Sequence, residues 1–325
     1  MKKIIISLIA IAAIVVGISF YLKNDSKTVR IDMSALNETE QNGVKLAIKE
    51  VNANGGAVGK QFESVSNGDY KLVDLELTPT LIKGSSDKLT FIVGGGAIDA
   101  TKSGINVFRT TPSDSHMVQI FVQYASLERK FRNITIVNDT DPWGRSVVDS
   151  FRHYASTTKL EMTEIDSHDI ARLKETAPDA ILLAVGSTTQ AAEFVSSARA
   201  EGVRVPIMYP KDITNSNLVA NVPVASLKDF IYSIFQPANP IFVQVFMQEF
   251  GKQPGKYADT AYDAVKLLAE TMNMATTTKP SEVARSFKPY IGASGSIEFN
   301  AIGERARVNV GLMSFDGKSA IPMGI

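Results

Sequence analysis

The stretch PDAILLAVGSTTQAAEFVSSARAEG (Pro178–Gly202) sets a strand and a helix back to back. Ala180 to Val185 is a continuous apolar run, the pattern of a parallel strand covered on both faces. Ser187 and Gln190 are spaced as a capping box for the helix that follows. Ala191, Phe194, Val195 and Ala198 then recur at helical spacing, and Gly202 ends the helix. Val205 to Tyr209 begins another strand. A strand, a helix and a further strand in this order predict a parallel sheet with helices on its faces.

The same rhythm extends outward in both directions. Thr28 to Met33 alternates like a strand, and Asn37 or Thr39 can cap the next helix. That helix shows Val44, Ala47, Ile48 and Val51 on one face and stops at Asn54-Gly55-Gly56. Strands are predicted at Gln61–Ser66, Thr90–Val93 and Asn133–Asn138, and a helix from Trp143 to about Ala155. Lys252 to Lys256 (KQPGK) reads as a linker. The fold class is therefore α/β, with ligand loops beyond the carboxyl ends of the strands. Those loops follow Met33, Val93, Asn138, Val185 and Tyr209.

Composition narrows the function. The chain has 325 residues, which suggests two domains at ~150 residues each. Lys plus Arg and Asp plus Glu both number 34, so there is no basic surplus for nucleic acid. The absence of cysteine removes disulfides, thiolate metal sites, a thiol nucleophile and a Cys-linked lipid. His116, His153 and His168 are scattered, so no metal motif is present. No G-x-S-x-G occurs, and Asp139 and Asp141 read as turn residues, so an enzyme is not expected. Gly94-Gly95-Gly96 lacks the spacing of a nucleotide loop, and no cofactor is implied.

The N-terminus carries an address. Lys2 and Lys3 precede an apolar run from Ile4 to Leu22. This is an export signal by its order of charge and hydropathy. At about 19 residues it nearly spans a bilayer core of ~30 Å, and Gly17-Ile18-Ser19 is a poor cleavage site. The reading favours residues 4–22 as an uncleaved inner-membrane anchor, with the body from Thr28 on the outer side.

Several landmarks carry a family likeness. GVKLAIKEVNANGGAVGK (Gly43–Lys60), FIVGG (Phe91–Gly95), VFRTTPSDS (Val107–Ser115) and DPWGRSVVDSF (Asp141–Phe151) come in order before Pro178–Gly202. YADTAYDAVKLLAE (Tyr257–Glu270) and GASGSIEFNAIGERA (Gly292–Ala306) follow it. The ordered set resembles type I periplasmic binding proteins, in particular the leucine/isoleucine/valine-binding group. The resemblance implies two α/β lobes joined by three crossovers, with a ligand closed between them. Lobe 1 would be 28–112 plus 237–300, and lobe 2 would be 113–236 plus 301–325.

The resemblance also nominates ligand-binding residues. Trp143 stands at the family's aromatic-before-Gly position, Thr101 in its Ala-Thr pair, and Tyr257 at its pocket aromatic. Ser187 could offer its hydroxyl to an anion. Lys211 falls where relatives carry an acid for the ligand ammonium, and a one-residue shift puts Asp212 there instead. Lys211 in the cleft would repel an α-amino group and favour a carboxylate. After Gly94 the chain reaches Ala100-Thr101 almost directly, so lobe 1 is expected to be trimmed by a βα unit. Arg109, near Asp114, is expected to fix the hinge.

Two functions remain. One is an extracytoplasmic solute-binding protein for an amino acid or carboxylate, serving an ABC permease. The other is a membrane-tethered sensor or structural subunit with a degenerate cleft that binds a protein partner.

Overall fold

The computed structural model describes residues 28–77, 84–98, 100–102, 104–139, 141–214, 216–235 and 237–324. The strands are β1 (Thr28–Ala35), β2 (Gln61–Val65), β3 (Tyr70–Asp74), β4 (Leu89–Gly94), β5 (Val107–Arg109), β6 (Asn133–Asn138), β7 (Glu161–Asp166), β8 (Ala180–Ala184), β9 (Ile207–Tyr209), β10 (Phe230–Phe235), β11 (Tyr290–Gly292), β12 (Gly295–Ile297), β13 (Val310–Phe315) and β14 (Ala320–Met323). The α-helices are α1 (Glu38–Ala53), α2 (Asp114–Gln123), α3 (Pro142–Ala155), α4 (Ile170–Glu175), α5 (Thr188–Ala200), α6 (Asn217–Asn221), α7 (Pro240–Phe250), α8 (Ala258–Ala275) and α9 (Pro280–Ala284).

Two large sheets organise the described residues, and β11 and β12 form a separate antiparallel pair. The first has the order β2-β1-β3-β4-β5 and is parallel throughout. The second has the order β14-β13-β10-β9-β8-β6-β7. It is parallel from β7 to β10, and β13 and β14 add antiparallel at one edge. Each sheet has its own core. Val44, Ala47 and Val51 of α1 and Ala261, Ala264 and Leu268 of α8 cover Ile31, Leu72 and Phe91. In the second sheet every residue of β8 is buried. α5 covers one face through Ala191, Phe194 and Val195, and α2 and α3 cover the other through Phe121, Val147 and Phe151.

Local chemistry sets the helix ends. Asn37, rather than Thr39, caps α1, and its side chain accepts from the Thr39 and Glu40 amides. Glu40 returns the bond to the Asn37 amide, completing a capping box. Asp141 caps α3, with Pro142 in the first turn, where its missing N–H costs nothing. Ser187 caps α5 by accepting from the Gln190 amide.

The first sheet is economical in its connections. A parallel crossover ordinarily takes a dozen residues or more. Here residues 66–69 suffice, because β2 pairs along Thr28–Asp32 and β3 joins β1 only from Ile31 onward. The end of β2 and the start of β3 therefore lie nearly level. The chain crosses over β1 at Gly68, where a Cβ would sit 2.3 Å from the Arg30 carbonyl oxygen. Among the described residues the passages from β3 to β4 and from β4 to β5 also carry no helix. After Gly94 the next strand, β5, is the fifth of the sheet.

The chain passes between the two halves after β5, after β10 and after β12. A buried knot ties these passages. Arg109 is fully buried and pairs with Glu304 at 3.2 Å. Arg305 donates to the Thr110 carbonyl at 2.7 Å. Arg109 thus pairs with Glu304 where these passages meet, while Asp114 turns to Trp143. Among the described residues no helix is long and apolar enough to cross a membrane. The expected anchor, Ile4–Leu22, lies outside the described residues.

Candidate functional site

The carboxyl ends of strands from both sheets border one cavity of about 630 Å³. Glu76 follows β3, Gly96 follows β4, and Lys211 and Asp212 follow β9. Asp114 opens α2, while Tyr257 and Asp259 stand at the start of α8. Met117, Ile234 and Phe242 add apolar wall. The cavity lies where open α/β sheets take ligands.

Lys211 reaches back toward the second sheet. Its ammonium donates to the Gly186 carbonyl at 2.6 Å and lies 4.7 Å from the centre of the Trp143 ring. Burial pulls its pKa down, while Asp114 and Asp141 pull it up. Trp143 donates its indole N–H to Asp114 Oδ2 at 2.7 Å and stacks edge-on against Tyr209. The single tryptophan therefore stands behind the cavity rather than on it, holding one cation and one acid in place. Burial pushes the Asp114 carboxyl up, and the bond from Trp143 and the charge of Lys211 act the other way. The Asp114 amide donates to the Gly96 carbonyl at 2.8 Å. That bond joins the loop after β4 to the start of α2. Gly96 permits the approach, since a Cβ there would lie 1.9 Å from Asp114 Oδ1.

The opposite wall is built around Tyr257. Its hydroxyl donates to Glu76 Oε1 at 2.8 Å, and the same oxygen accepts from Lys256 at 2.6 Å. Lys256 also lies 4.5 Å from the Tyr257 ring centre. Burial raises the Glu76 pKa, but the bonds from Lys256 and Tyr257 outweigh it and leave the carboxylate below its ordinary value. Asp259 accepts from the Thr260 amide at 2.9 Å, and burial raises its carboxyl. Asp212 accepts from the Thr214 amide and hydroxyl, a local turn at the rim.

The nominated residues thus separate. Lys211, Asp212 and Tyr257 line the cavity, and Trp143 backs it. Thr101 does not reach it. Its hydroxyl donates to Glu304 at 2.8 Å, in the buried knot beside Arg109. Ser187 is also away from it, exposed and used as the α5 cap. Sequence reasoning missed Glu76, Lys256 and Asp259 as cavity residues. Glu76 follows a strand that the sequence reading did not recognise. Asp259 stands two places after Tyr257 and was readable as a helix-start acid. Among the described residues no group of three His, Asp or Glu side chains is placed to hold a metal ion.

Two sheets with a charged cavity between their carboxyl ends define a two-lobed α/β solute-binding fold. A family model described as periplasmic binding protein matches residues 85–317, and the chain belongs to that family and has its type I fold. The chain is 23% identical over 310 residues to the Leu/Ile/Val-binding protein homolog 1 of Brucella abortus (strain 2308), covering 81% of this chain and 82% of the relative. It is similar in structure to an ABC transporter substrate-binding protein from Desulfitobacterium hafniense in complex with Leu. There the TM-score is 0.66 at 22% identity, covering 91% of this chain and 98% of the other. A solute-binding protein of an ABC transporter from R. palustris in complex with benzoate matches with a TM-score of 0.62 at 16% identity, covering 91% and 94%. The protein is a solute-binding protein of this family.

Proposed function

We propose that the cavity binds a small carboxylate-bearing molecule, an amino acid or a relative of one, and that the two lobes close on it. The observation that carries this reading is the cavity itself, with Lys211, Asp114 and Asp259 converging in it. Lobe 1 is residues 28–112 with 237–300, and lobe 2 is residues 113–236 with 301–325. Lys211 lies within reach of an acid's oxygens, Tyr257 forms the facing aromatic wall, and Asp212 guards the rim. Trp143 positions Lys211 rather than covering the ligand. Thr101 and Ser187 serve the hinge and a helix cap.

A solute that bridges the lobes favours the closed arrangement by its differential affinity for it. The closed form is then presented to an ABC permease. The body works on the periplasmic side, held near that partner by residues 4–22 as an anchor, which raises its local concentration. A cavity open to solute favours this reading over a partner-binding subunit with a degenerate cleft.

Thermal melting with a panel of amino acids, short carboxylates and amides tests it. A solute at ~100 times its dissociation constant stabilises the native state by ~2.7 kcal/mol, several degrees for a protein this size. One chemical class is expected to raise the melting temperature, and Tyr257→Ala is expected to abolish the rise while the protein still folds. A flat panel from folded protein would refute the reading.

A further inference from the structure

We propose that Lys211 is a cation built into the cleft, filling from within the chain the place that a ligand's ammonium would take, so that the solute is an organic acid without an ammonium group. The inference rests on the carboxylate-binding reading above and narrows it.

The surroundings of the Lys211 ammonium are those that a primary ammonium ligand requires. Gly186 supplies a carbonyl at 2.6 Å, and Trp143 supplies an aromatic face at 4.7 Å. Asp114 and Asp141 supply negative charge. The tryptophan has no face or donor left on this side for a ligand cation, since its ring holds Lys211 and its N–H holds Asp114. Asp141 is likewise committed, capping α3.

A ligand ammonium entering here would sit beside a charge of its own sign in a partly desolvated cavity. At ~5 Å and an effective dielectric constant of ~20, that repulsion amounts to about a hundredfold in affinity or more. Lys256, the other cavity lysine, already shares an oxygen of Glu76 with Tyr257. An acid meets an opposite charge at Lys211, and the cavity's own carboxyls are each engaged: Glu76 accepts from Lys256 and Tyr257, Asp114 from Trp143, Asp212 from Thr214 and Asp259 from the Thr260 amide. An ammonium has three N–H donors, and Gly186 takes one. The remaining donors suit a carboxylate, while Met117, Ile234 and Phe242 suit its apolar part.

Matched pairs test this directly: leucine against 4-methylpentanoate, and phenylalanine against 3-phenylpropanoate. Binding is read by titration against the full-length protein. The acid lacking the ammonium is expected to bind in at least one pair, a hundredfold or more tighter than its amino partner. Lys211→Met, which keeps the stem and removes the charge, is expected to bring that ratio below ten. If the amino acids bind as tightly as their partners or tighter, the built-in cation is refuted while solute binding stands. If no member of either pair binds folded protein, the carboxylate reading fails and this inference with it.

A second readout does not depend on the solute. Trp143 is the only tryptophan in the chain, so its emission reports the cation over its ring. Lys211→Ala is expected to change that emission, and propylammonium chloride to return it toward the wild-type value where sodium chloride does not. Equal effects of the two salts on folded Lys211→Ala protein would overturn the proposal.

Discussion

Glu40→Gln isolates one buried proton. Glu40 is completely buried at the start of α1, and one of its oxygens accepts from the Asn37 amide at 2.9 Å. The other faces Asp74, also buried, across Gly94, where a Cβ would touch both carboxyls. Burial first, then the Asp74 and Glu76 charges, push Glu40 up to about 8 from 4.5, against the pull of the Asn37 amide. A carboxyl whose pKa is higher folded than unfolded holds its proton more tightly in the folded state. Its contribution is complete below pH 4.5 and is lost as pH rises through about 8. At about 1.4 kcal/mol per tenfold, the full loss is on the order of 5 kcal/mol. That corresponds to roughly 10 °C in melting temperature. Glutamine has the same shape, can accept from the Asn37 amide and can donate to Asp74, but it carries no proton to lose. Melting of both proteins from pH 4.5 to pH 9 is the assay. The two should melt alike near pH 5, and Glu40→Gln should be the more stable at pH 9. Parallel curves across the whole range would show that Glu40 holds no such proton.

Three further outcomes can be measured by urea unfolding. Gly68→Ala would put a Cβ 2.3 Å from the Arg30 carbonyl oxygen, a backbone atom that cannot swing away, so a loss of about 2–4 kcal/mol is expected. Glu304→Gln removes the negative charge 3.2 Å from the buried Arg109 and should cost about 1.5–3 kcal/mol. Asp263 is fully buried and accepts from the Ala293 amide and from the Ser294 amide and hydroxyl. Asp263→Asn keeps one acceptor oxygen and turns the other into a donor facing an amide N–H, so a loss of about 1–3 kcal/mol is expected, whereas a change within 0.5 kcal/mol would show that the loop holds without the missing bond.

Much of the fold was legible because strong periodic signals coincide with real elements. Ala180–Val185, Asn133–Asn138 and the helix at Trp143–Ala155 are apolar or amphipathic enough to declare themselves, and each is found within a residue of its expected bounds. β3 was not legible. Its five residues lie close to β2, and the crossover between them is too short to suggest a parallel pair. Only the staggered pairing on β1 makes it possible. The edge strand β7 is mostly exposed and polar, so it lacks the apolar pattern of a buried strand. The cavity lining was legible where one loop carries it, as at Lys211 and Tyr257. It was not legible where side chains meet from distant segments. Trp143 was expected to cover a ligand, but its partners come from far away in sequence: Asp114 lies 29 residues before it, and Lys211 lies on the loop after β9. Thr101 shows the same limit, since its partner Glu304 stands 203 residues away.

One small solute is expected to bind in the cavity at Lys211 and Tyr257. Calorimetric titration tests it most directly, using whichever compound raises the melting temperature most. Saturable heat with one site per chain is expected from the wild-type protein, and its loss from folded Tyr257→Ala. Heat that is absent from the wild type, or unchanged in Tyr257→Ala, would contradict it.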